Sequence, residues 1–241
     1  DVDVNNTITA KYSKSIKKSL EFKNYKPIFS KIAANDIGID FIHRENEFDD
    51  FREEVLLPHK LSTEGPFSAV ADVNGDGLED VFIGGAAKQE GALYLQVQEG
   101  EFEKSLSRPW SKDKNVEDLG VLFLDIDSDG DKDLYVTSGG SEFKTGSKFL
   151  KDRIYVNDGF GNFTKDTKAL PNIYKSTQTV KASDIDADGD LDLFIGTRLI
   201  SGKYTYPASS YLLINENGIF KKASTKLAPV LQDLGMVTDA V

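Results

Sequence analysis

Asp125-Ile-Asp127-Ser-Asp129-Gly130-Asp131-Lys-Asp133 is an acidic segment between two apolar ones, and this chain carries three versions of it. The other two are Asp72-Val-Asn74-Gly-Asp76-Gly77-Leu78-Glu-Asp80 and Asp184-Ile-Asp186-Ala-Asp188-Gly189-Asp190-Leu-Asp192. In each version, oxygen-bearing side chains occupy positions 1, 3, 5 and 9, and glycine occupies position 6. The flanking segments are short and rich in β-branched and aromatic residues, so the sequence predicts an acidic loop between two strands.

The spacing of these oxygens predicts a binding site for a hard divalent cation. Alternate residues of a tightly curled loop point toward its centre, so that the side chains at positions 1, 3 and 5 converge. Glycine at position 6 permits backbone angles that other residues resist. Calcium tolerates irregular geometry better than magnesium, so we expect three calcium sites. The predicted ligands are four side chains and the main-chain carbonyl of position 7 in each loop: Asp72, Asn74, Asp76, Leu78 and Asp80; Asp125, Asp127, Asp129, Asp131 and Asp133; and Asp184, Asp186, Asp188, Asp190 and Asp192.

Neither an EF-hand nor a plain turn accounts for the acidic loops as well as this strand-loop-strand site. An EF-hand needs a bidentate glutamate at position 12 between two helices, whereas position 12 is occupied by Ile83, Val136 and Ile195. Aspartate and glycine also form plain turns, but a plain turn does not require an oxygen at every ligand position in three copies. Without a cation the carboxylates would repel one another and some would stay protonated. Asn74 is the only neutral side-chain ligand, which should make the first site the weakest.

The period of the repeat predicts the architecture. The loops begin at residues 72, 125 and 184, so they are 53 and 59 residues apart, and a period near 50 is typical of β-propeller blades. Each repeat is predicted to contain a strand into the loop, a strand out of it and a hairpin. The predicted fold class is therefore all-β, with three four-stranded blades at about 66–105, 119–166 and 178–223 and the first strand of a fourth at 234–241.

An incomplete propeller leaves open edges. Propellers usually close with four or more blades, and an unpaired strand edge is a template for association. We therefore expect either a fragment of a longer, seven-bladed propeller or a homo-oligomer that pairs through these edges.

Composition excludes several classes of function. The net charge of −11 argues against nucleic-acid binding, and the absence of cysteine excludes disulfides and thiol chemistry. The sequence contains no predicted membrane span. Loops of this kind in extracellular modules bind calcium weakly, on the order of 0.1 to 1 mM, which cytosolic calcium cannot saturate. We therefore expect an extracellular, periplasmic or outer-membrane-surface location.

The three loops, followed by strands such as Phe82-Ile-Gly-Gly85 and Phe194-Ile-Gly196, resemble the FG-GAP or VCBS repeats of integrin-α propellers and of many bacterial surface and secreted proteins. The resemblance covers roughly residues 62–241 and implies a calcium-bearing propeller whose ions are structural. Upstream, the sequence from Pro27 to Pro66 resembles the lead-in of bacterial proteins that also carry an ASPIC/UnbV domain. That resemblance implies a lead-in at 25–61 and, at 1–24, the tail of a preceding domain or an extended arm.

Further residues offer chemistry of their own. His43 and His59 lie near carboxylates and could bind zinc or act as bases, but hydrogen bonding within their own segment is the favoured interpretation. Glycoside hydrolysis could use paired carboxylates, yet a solvated helical face is favoured for the acidic stretch Glu45, Glu47, Asp49, Asp50, Glu53 and Glu54. Three aromatic residues could stack on sugars or cover the core: Trp110, Tyr204 and Tyr206.

The function predicted from the sequence is a non-catalytic, calcium-stabilised module that binds a protein or a glycan at the cell exterior. This prediction follows from the structural character of all the strong motifs. The alternative is the propeller portion of a polysaccharide lyase or hydrolase, and a metal-bridged adhesion site is a third possibility. No nucleophile elbow or cysteine nucleophile accompanies the acidic residues.

Overall fold

Three antiparallel four-stranded sheets follow one another along the computed structural model, which describes residues 28–241. The first sheet contains β1 (Ser68–Ala71), β2 (Asp80–Ile83), β3 (Ala92–Gln98) and β4 (Glu101–Lys104). The second contains β5 (Asp118–Leu124), β6 (Asp133–Ser138), β7 (Arg153–Val156) and β8 (Thr164–Asp166). The third contains β9 (Ser176–Ser183), β10 (Asp192–Leu199), β11 (Tyr211–Glu216) and β12 (Ile219–Lys222). In every sheet each strand pairs with the next one in sequence, so the predicted all-β blades are confirmed.

The remaining described elements are short. Two single-turn helices, α1 (Asp50–Glu53) and α2 (Ser224–Leu227), are accompanied by 3-10 turns at Ala34–Ile37, Pro109–Asp113, Lys148–Leu150 and Pro229–Asp233. No helix within residues 28–241 is long and apolar enough to span a bilayer. Residues 33–241 form one unit, and residues 28–32 belong to another. The arm or domain tail predicted at 1–24 lies outside the described residues.

The hydrophobic core lies between neighbouring blades. The inner strands β1 and β5 contact each other, as do β5 and β9, which places the three blades side by side. Side chains of the first two blades form one buried cluster: Val73, Phe82, Leu93, Trp110, Leu134, Val136, Tyr155 and Phe163. Those of the second and third blades form another, which includes Leu124, Ile126, Tyr135, Ile154, Val180, Leu193, Ile195, Leu213 and Phe220. Each blade is therefore stabilised mainly by the burial of apolar area against its neighbour.

Glycines allow the inner strands to approach one another. A Cβ added at Gly139 would lie 2.4 Å from Leu119 Cδ1 and 2.6 Å from the carbonyl oxygen of Thr177. One added at Gly84 would lie 2.9 Å from Asp118 Cβ. The glycines after β2 and β6 therefore leave room for the close approach of the neighbouring strand.

The segment 234–241, predicted to be the first strand of a fourth blade, forms no strand but is hydrogen-bonded to the third blade. The N–H of Val237 donates to the carbonyl of Thr197, near the end of β10, over 3.1 Å. The N–H of Asp118 donates in the same way to the carbonyl of Gly85, after β2, over 3.0 Å. Val237 is thus hydrogen-bonded to the third blade in the same way as Asp118, the first residue of β5, is hydrogen-bonded to the first blade.

The lead-in segment crosses all three blades. The Tyr94 hydroxyl donates to Asp40 over 2.5 Å in the first blade, and the Ser141 hydroxyl donates to Asp50 over 2.6 Å in the second. The N–H of Tyr204 donates to Glu54 over 2.5 Å in the third. The segment 40–54 therefore contacts all three blades, and we call it the lead-in strap.

Asp50 anchors this strap and corrects one expectation. The expected solvated helical face consists of the single turn α1, and Asp50 within it is buried. Its carboxylate accepts hydrogen bonds from the N–H of Leu61 and the hydroxyls of Ser62 and Ser141. The hydrogen bonds offset the cost of burying this charge, so Asp50 has a structural role.

The acidic loops use left-handed backbone at two positions. At position 6, φ is 86° for Gly77, 96° for Gly130 and 102° for Gly189, as the sequence predicts. At position 4, φ is also positive, and there two of the residues are not glycine: Ser128 at 63° and Ala187 at 64°. The loop therefore curls tightly enough to need two left-handed residues, which is costly for side chains other than glycine.

A pair of substitutions in the third loop tests this geometry. We expect Gly189→Ala to lower the free energy of unfolding by about 1–2 kcal/mol, because an L side chain resists this backbone conformation. The space around Gly189 is open, so no clash contributes. Ala187→Gly should cost nothing, since relief of strain offsets the greater entropy of the unfolded chain. Urea unfolding of both variants at one calcium concentration measures the difference, and equal destabilisation of the two would contradict the assignment.

A buried ion pair lies within the second blade, and its aspartate is also bonded to the first blade. Arg153 Nη2 lies 2.6 Å from Asp118 Oδ1, and both side chains are only 5% exposed. The other carboxylate oxygen of Asp118 accepts from the N–H of Gly85 over 2.8 Å, and Arg153 Nε donates to the Ser138 hydroxyl over 3.2 Å. The pair is thus hydrogen-bonded on both sides, as a buried charge pair must be to persist.

Removal of the guanidinium group of Arg153 should destabilise the second blade and its contact with the first. We expect Arg153→Met to lower the free energy of unfolding by about 3–5 kcal/mol, because Asp118 would remain buried without its partner. Lys221→Met is the matched control, since Lys221 pairs with Glu216 at the surface and should change stability by less than about 1 kcal/mol. Chemical denaturation measures both, and similar losses in the two variants would refute the argument.

Candidate metal-binding loops

The second and third loops bring their carboxylates together. Oxygens of Asp125, Asp127 and Asp133 all lie within 4.8 Å of one another, and so do oxygens of Asp184, Asp186 and Asp192. Positions 1, 3 and 9 therefore converge in both loops, as the spacing predicts. A divalent ion held by oxygens 2.3–2.6 Å away fits a cluster of about this width.

The aspartate at position 9 has a second task in every loop. Asp80, Asp133 and Asp192 are fully buried. One oxygen of each accepts from the N–H of position 2 in the same loop, over 2.8–3.0 Å. The other accepts from an N–H at the end of the third strand of the same blade, which belongs to Gln96, Asn157 and Asn215, respectively, each over 2.8 Å. The ninth aspartate therefore ties the loop to the hairpin of its own blade.

Two asparagines continue this connection into the preceding blade. The side-chain amide of Asn157 donates to the carbonyl of Val73 in the first loop over 2.7 Å. That of Asn215 donates to the carbonyl of Ile126 in the second loop over 2.9 Å. Sequence reasoning missed both residues, although their shared place, just after an apolar strand and before a glycine turn, is visible in the sequence.

The apolar residue at position 2 is buried in the first two loops and exposed in the third. Val73 and Ile126 are 1% and 2% exposed, because the following blade covers them. Ile185, at the same place in the third loop, is 44% exposed. The described chain has no fourth sheet to pack against it.

Burial, together with the crowding of the carboxylates, raises several pKa values. Burial raises the pKa of Asp133 to about 7, although hydrogen bonds from Asn157 and Ile126 act in the opposite direction. Burial and the neighbouring charges of Asp129 and Asp127 raise the pKa of Asp131 to about 6. The same causes raise the pKa values of three further loop residues: Asp127, Asp186 and Asp190. A cation among these carboxylates would favour their charged forms.

In the second and third loops, position 7 offers a carboxylate oxygen in addition to its main-chain carbonyl. Asp131 Oδ1 and Asp190 Oδ1 are buried and have no hydrogen-bond partner among the described residues, and Asp125 Oδ1 at position 1 is in the same condition. The sequence predicts only a carbonyl ligand from position 7, so the extra carboxylate was missed. Unpaired buried oxygens of this kind fit a cation.

The first loop is arranged differently. Asp72 accepts from the N–H groups of Gly75 and Gly77, each over 2.8 Å, and the Asn74 amide donates to Asp76 over 3.0 Å. Within residues 28–241 its acidic side chains form no group of three converging oxygens. Burial raises the pKa of Asp80, and the charges of Asp76 and Asp72 add to this effect. The difference follows from the neutral amide at position 3.

The remaining candidates from the sequence have varied positions. His43 Nε2 lies 2.8 Å from Glu45 Oε1, whereas His59 is exposed. Trp110 lies in the core and packs edge-on against Phe82 and Tyr155, so it covers the core and cannot stack on a sugar. Tyr206 is exposed, and Tyr204 packs beside a small apolar cluster.

Among solved structures, the chain is similar to an Agrocybe aegerita lectin, described as recognising non-reducing terminal N-acetylglucosamine. The TM-score is 0.45 and the sequence identity is 16%. The alignment covers 70% of this chain and 41% of the lectin, so the chain spans well under half of the lectin's length. No curated protein matches the sequence.

A family model, in contrast, matches the loops themselves. The FG-GAP-like repeat model matches residues 72–136 and 125–195. These two matches begin at the first residue of the first and second loops, and together they cover just over half of the chain. Each match therefore runs from one acidic loop to the strand that leaves the next. The chain belongs to the FG-GAP-like repeat family.

Proposed function

We propose that this chain is a calcium-stabilised, non-catalytic module that binds or scaffolds a protein or glycan at the cell exterior. FG-GAP repeats fit a binding or scaffold module. The observation that carries the proposal is the convergence of three carboxylates in each of the second and third loops. Calcium prefers clusters of oxygen ligands with several carboxylates, whereas softer metals prefer nitrogen or sulfur ligands.

The bound ions would act on the fold through the ninth aspartate. In the second loop, the proposed ligands are Asp125, Asp127, Asp129, Asp131 and Asp133, of which the first, second and last converge. Calcium would supply the charge that lets them stay ionised together. Asp133 also holds the N–H groups of Ile126 and Asn157. The carbonyl of Ile126 accepts from Asn215 of the next blade. An ion that fixes the loop therefore also fixes the contact between two blades.

The same scheme applies to the third loop and, more weakly, to the first. In the third loop the proposed ligands are Asp184, Asp186, Asp188, Asp190 and Asp192. In the first, Asp72, Asn74, Asp76, the carbonyl of Leu78 and Asp80 would bind an ion with one carboxylate fewer. Sites with fewer charged ligands bind calcium less tightly, so the proposed order of affinity places the first loop last.

An exterior location follows from the expected affinity. Extracellular calcium is in the millimolar range in which such modules are saturated, and the sequence resembles repeats of surface and secreted proteins. The bacterial origin, the ASPIC/UnbV association and the seven-bladed parent propeller stay predictions. So does pairing through the open edges, where the exposed Ile185 offers an apolar contact.

Chelation tests the proposal directly. We expect EDTA to lower the melting temperature, because an ion that binds only the folded state stabilises it by about 2.7 kcal/mol per site at a hundredfold excess over Kd. Asp125→Asn combined with Asp184→Asn should remove most of this difference, measured by calorimetry with and without calcium. Glu216→Gln changes an exposed carboxylate outside the loops and should leave the EDTA effect intact. A melting temperature indifferent to EDTA would refute the proposal.

The order of affinities has its own test. We expect Asn74→Asp to tighten the first site several-fold, because it restores the charge found at this position in the other loops. The metal-free variant should at the same time be less stable, since the new carboxylate lies beside Asp76. Asn162→Asp is the control, because Asn162 lies in an exposed turn after β7. Calcium titration calorimetry compares the three proteins, and an unchanged weakest site in Asn74→Asp would contradict the ranking.

A further inference from the structure

A second cluster of potential metal ligands lies outside the acidic loops, between the lead-in strap and the second blade. One ligand atom each from His43, Glu45 and Glu117 lie within 4.8 Å of one another. His43 and Glu45 belong to the strap, and Glu117 immediately precedes β5 of the second blade. The cluster therefore joins two parts of the chain that are about seventy residues apart in sequence.

Glu117 is the buried member of this cluster. It is 1% exposed, and its Oε2 accepts from the N–H of Ala87 over 2.6 Å. Its Oε1 is buried and has no hydrogen-bond partner among residues 28–241. A buried carboxylate oxygen without a partner carries a large desolvation cost, which calls for a ligand.

The other members also have unpaired buried atoms. His43 Nε2 lies 2.8 Å from Glu45 Oε1. Nδ1 of His43 and Oε2 of Glu45 are buried without a hydrogen-bond partner within the described chain. Each of these two partly buried side chains thus has one polar atom in a hydrogen bond and one without a partner.

A further carboxylate borders the cluster. Glu142 follows β6, and both of its carboxylate oxygens are buried and unpaired in the part of the chain that is described. A Cβ built on Gly140 would lie 3.8 Å from Glu142 Oε2 and 3.5 Å from Glu117 Cβ, so the two glutamates lie on either side of this glycine. Burial raises the pKa of Glu117 to about 9, and the charges of Glu45 and Glu142 act in the same direction. Three carboxylates and one imidazole thus share a small region, and the charge of Lys88 acts on Glu142 at its border.

We propose that His43, Glu45 and Glu117 form a binding site for a divalent first-row transition metal ion, of which Zn²⁺ is the representative. Imidazole nitrogen is a common ligand of zinc, iron, copper and nickel, whereas calcium takes oxygen ligands. A set of three protein ligands also leaves room for a fourth, and Glu142 is the nearest candidate. The site therefore differs in metal preference from the acidic loops.

The consequence of such a site is a clamp between the strap and the propeller. The imidazole of His43 packs against the backbone of Gly65, where an added Cβ would lie 2.9 Å from His43 Nε2. The neighbouring residue Arg44 is fixed to the first blade, because its N–H donates to Gln89 over 2.8 Å. A metal ion shared with Glu117 would connect this end of the strap to the second blade as well. This role is independent of calcium in the acidic loops.

Zinc titration of the whole chain tests this proposal. The protein is first stripped with EDTA, then dialysed into excess Ca²⁺ so that the acidic loops are occupied, and Zn²⁺ binding is measured by calorimetry. We expect one saturable site and a rise in melting temperature on addition of Zn²⁺. His43→Gln should weaken binding by at least about tenfold to a hundredfold, since loss even of an outer-shell partner has effects of that size.

The chain offers a matched control, because His59 is the only other histidine. His59→Gln should bind Zn²⁺ as the unchanged protein does. Glu117→Gln should abolish Zn²⁺ binding, and circular dichroism checks that this variant folds. If the buried substitution prevents folding, Glu45→Gln is tested in its place and should also weaken Zn²⁺ binding. Asp125→Asn with Asp184→Asn should keep the zinc site even where calcium binding is lost. Absence of saturable Zn²⁺ binding, or equal affinity in His43→Gln and His59→Gln, would overturn the proposal.

Discussion

The buried aspartate at the ninth position of each acidic loop is the constraint on which the blades depend. Its two oxygens bind the N–H of position 2 and the N–H at the end of the third strand, so one side chain fixes both the loop and the hairpin. A fully buried carboxylate is costly unless its oxygens are paired. The loop, the hairpin and the proposed ion must therefore form together, since each satisfies groups that the others leave unpaired.

The same connection explains how separate sheets become one structure. A four-stranded sheet cannot bury its faces alone, and the apolar clusters lie between blades, not within them. Asn157, just after β7, and Asn215, near the end of β11, add a directional bond to this apolar contact, because each donates to the loop of the preceding blade. In the third loop, which no described blade follows, the apolar residue at position 2 is exposed, as Ile185 shows. The contact between blades thus combines non-specific burial with directional hydrogen bonds.

The lead-in strap gives the blades a second, independent link. It contacts each blade through one carboxylate, from Asp40, Asp50 and Glu54. The proposed zinc-class site uses the same strap, and its ligands come from residues that the repeat motif does not include. The acidic loops and the strap therefore both connect the blades, the loops through the ninth aspartate and the asparagines, and the strap through its own carboxylates.

The blades and the loops can be predicted from local sequence. Both depend on local order: alternate oxygens, a glycine at position 6 and short apolar strands lie within a few residues of one another, so their physical effect can be read without knowing the fold. The positive φ at Gly130 and the convergence of Asp125, Asp127 and Asp133 agree with this local prediction.

Which distant residues meet depends on the packing of the folded chain and is not visible in any one segment. The amide of Asn215 finds the carbonyl of Ile126 across 89 residues, and Glu117 meets His43 because the strap crosses the start of β5. Such contacts depend on how blades and strap pack, and packing is set by the burial of surfaces that belong to the whole unit and not to any one segment.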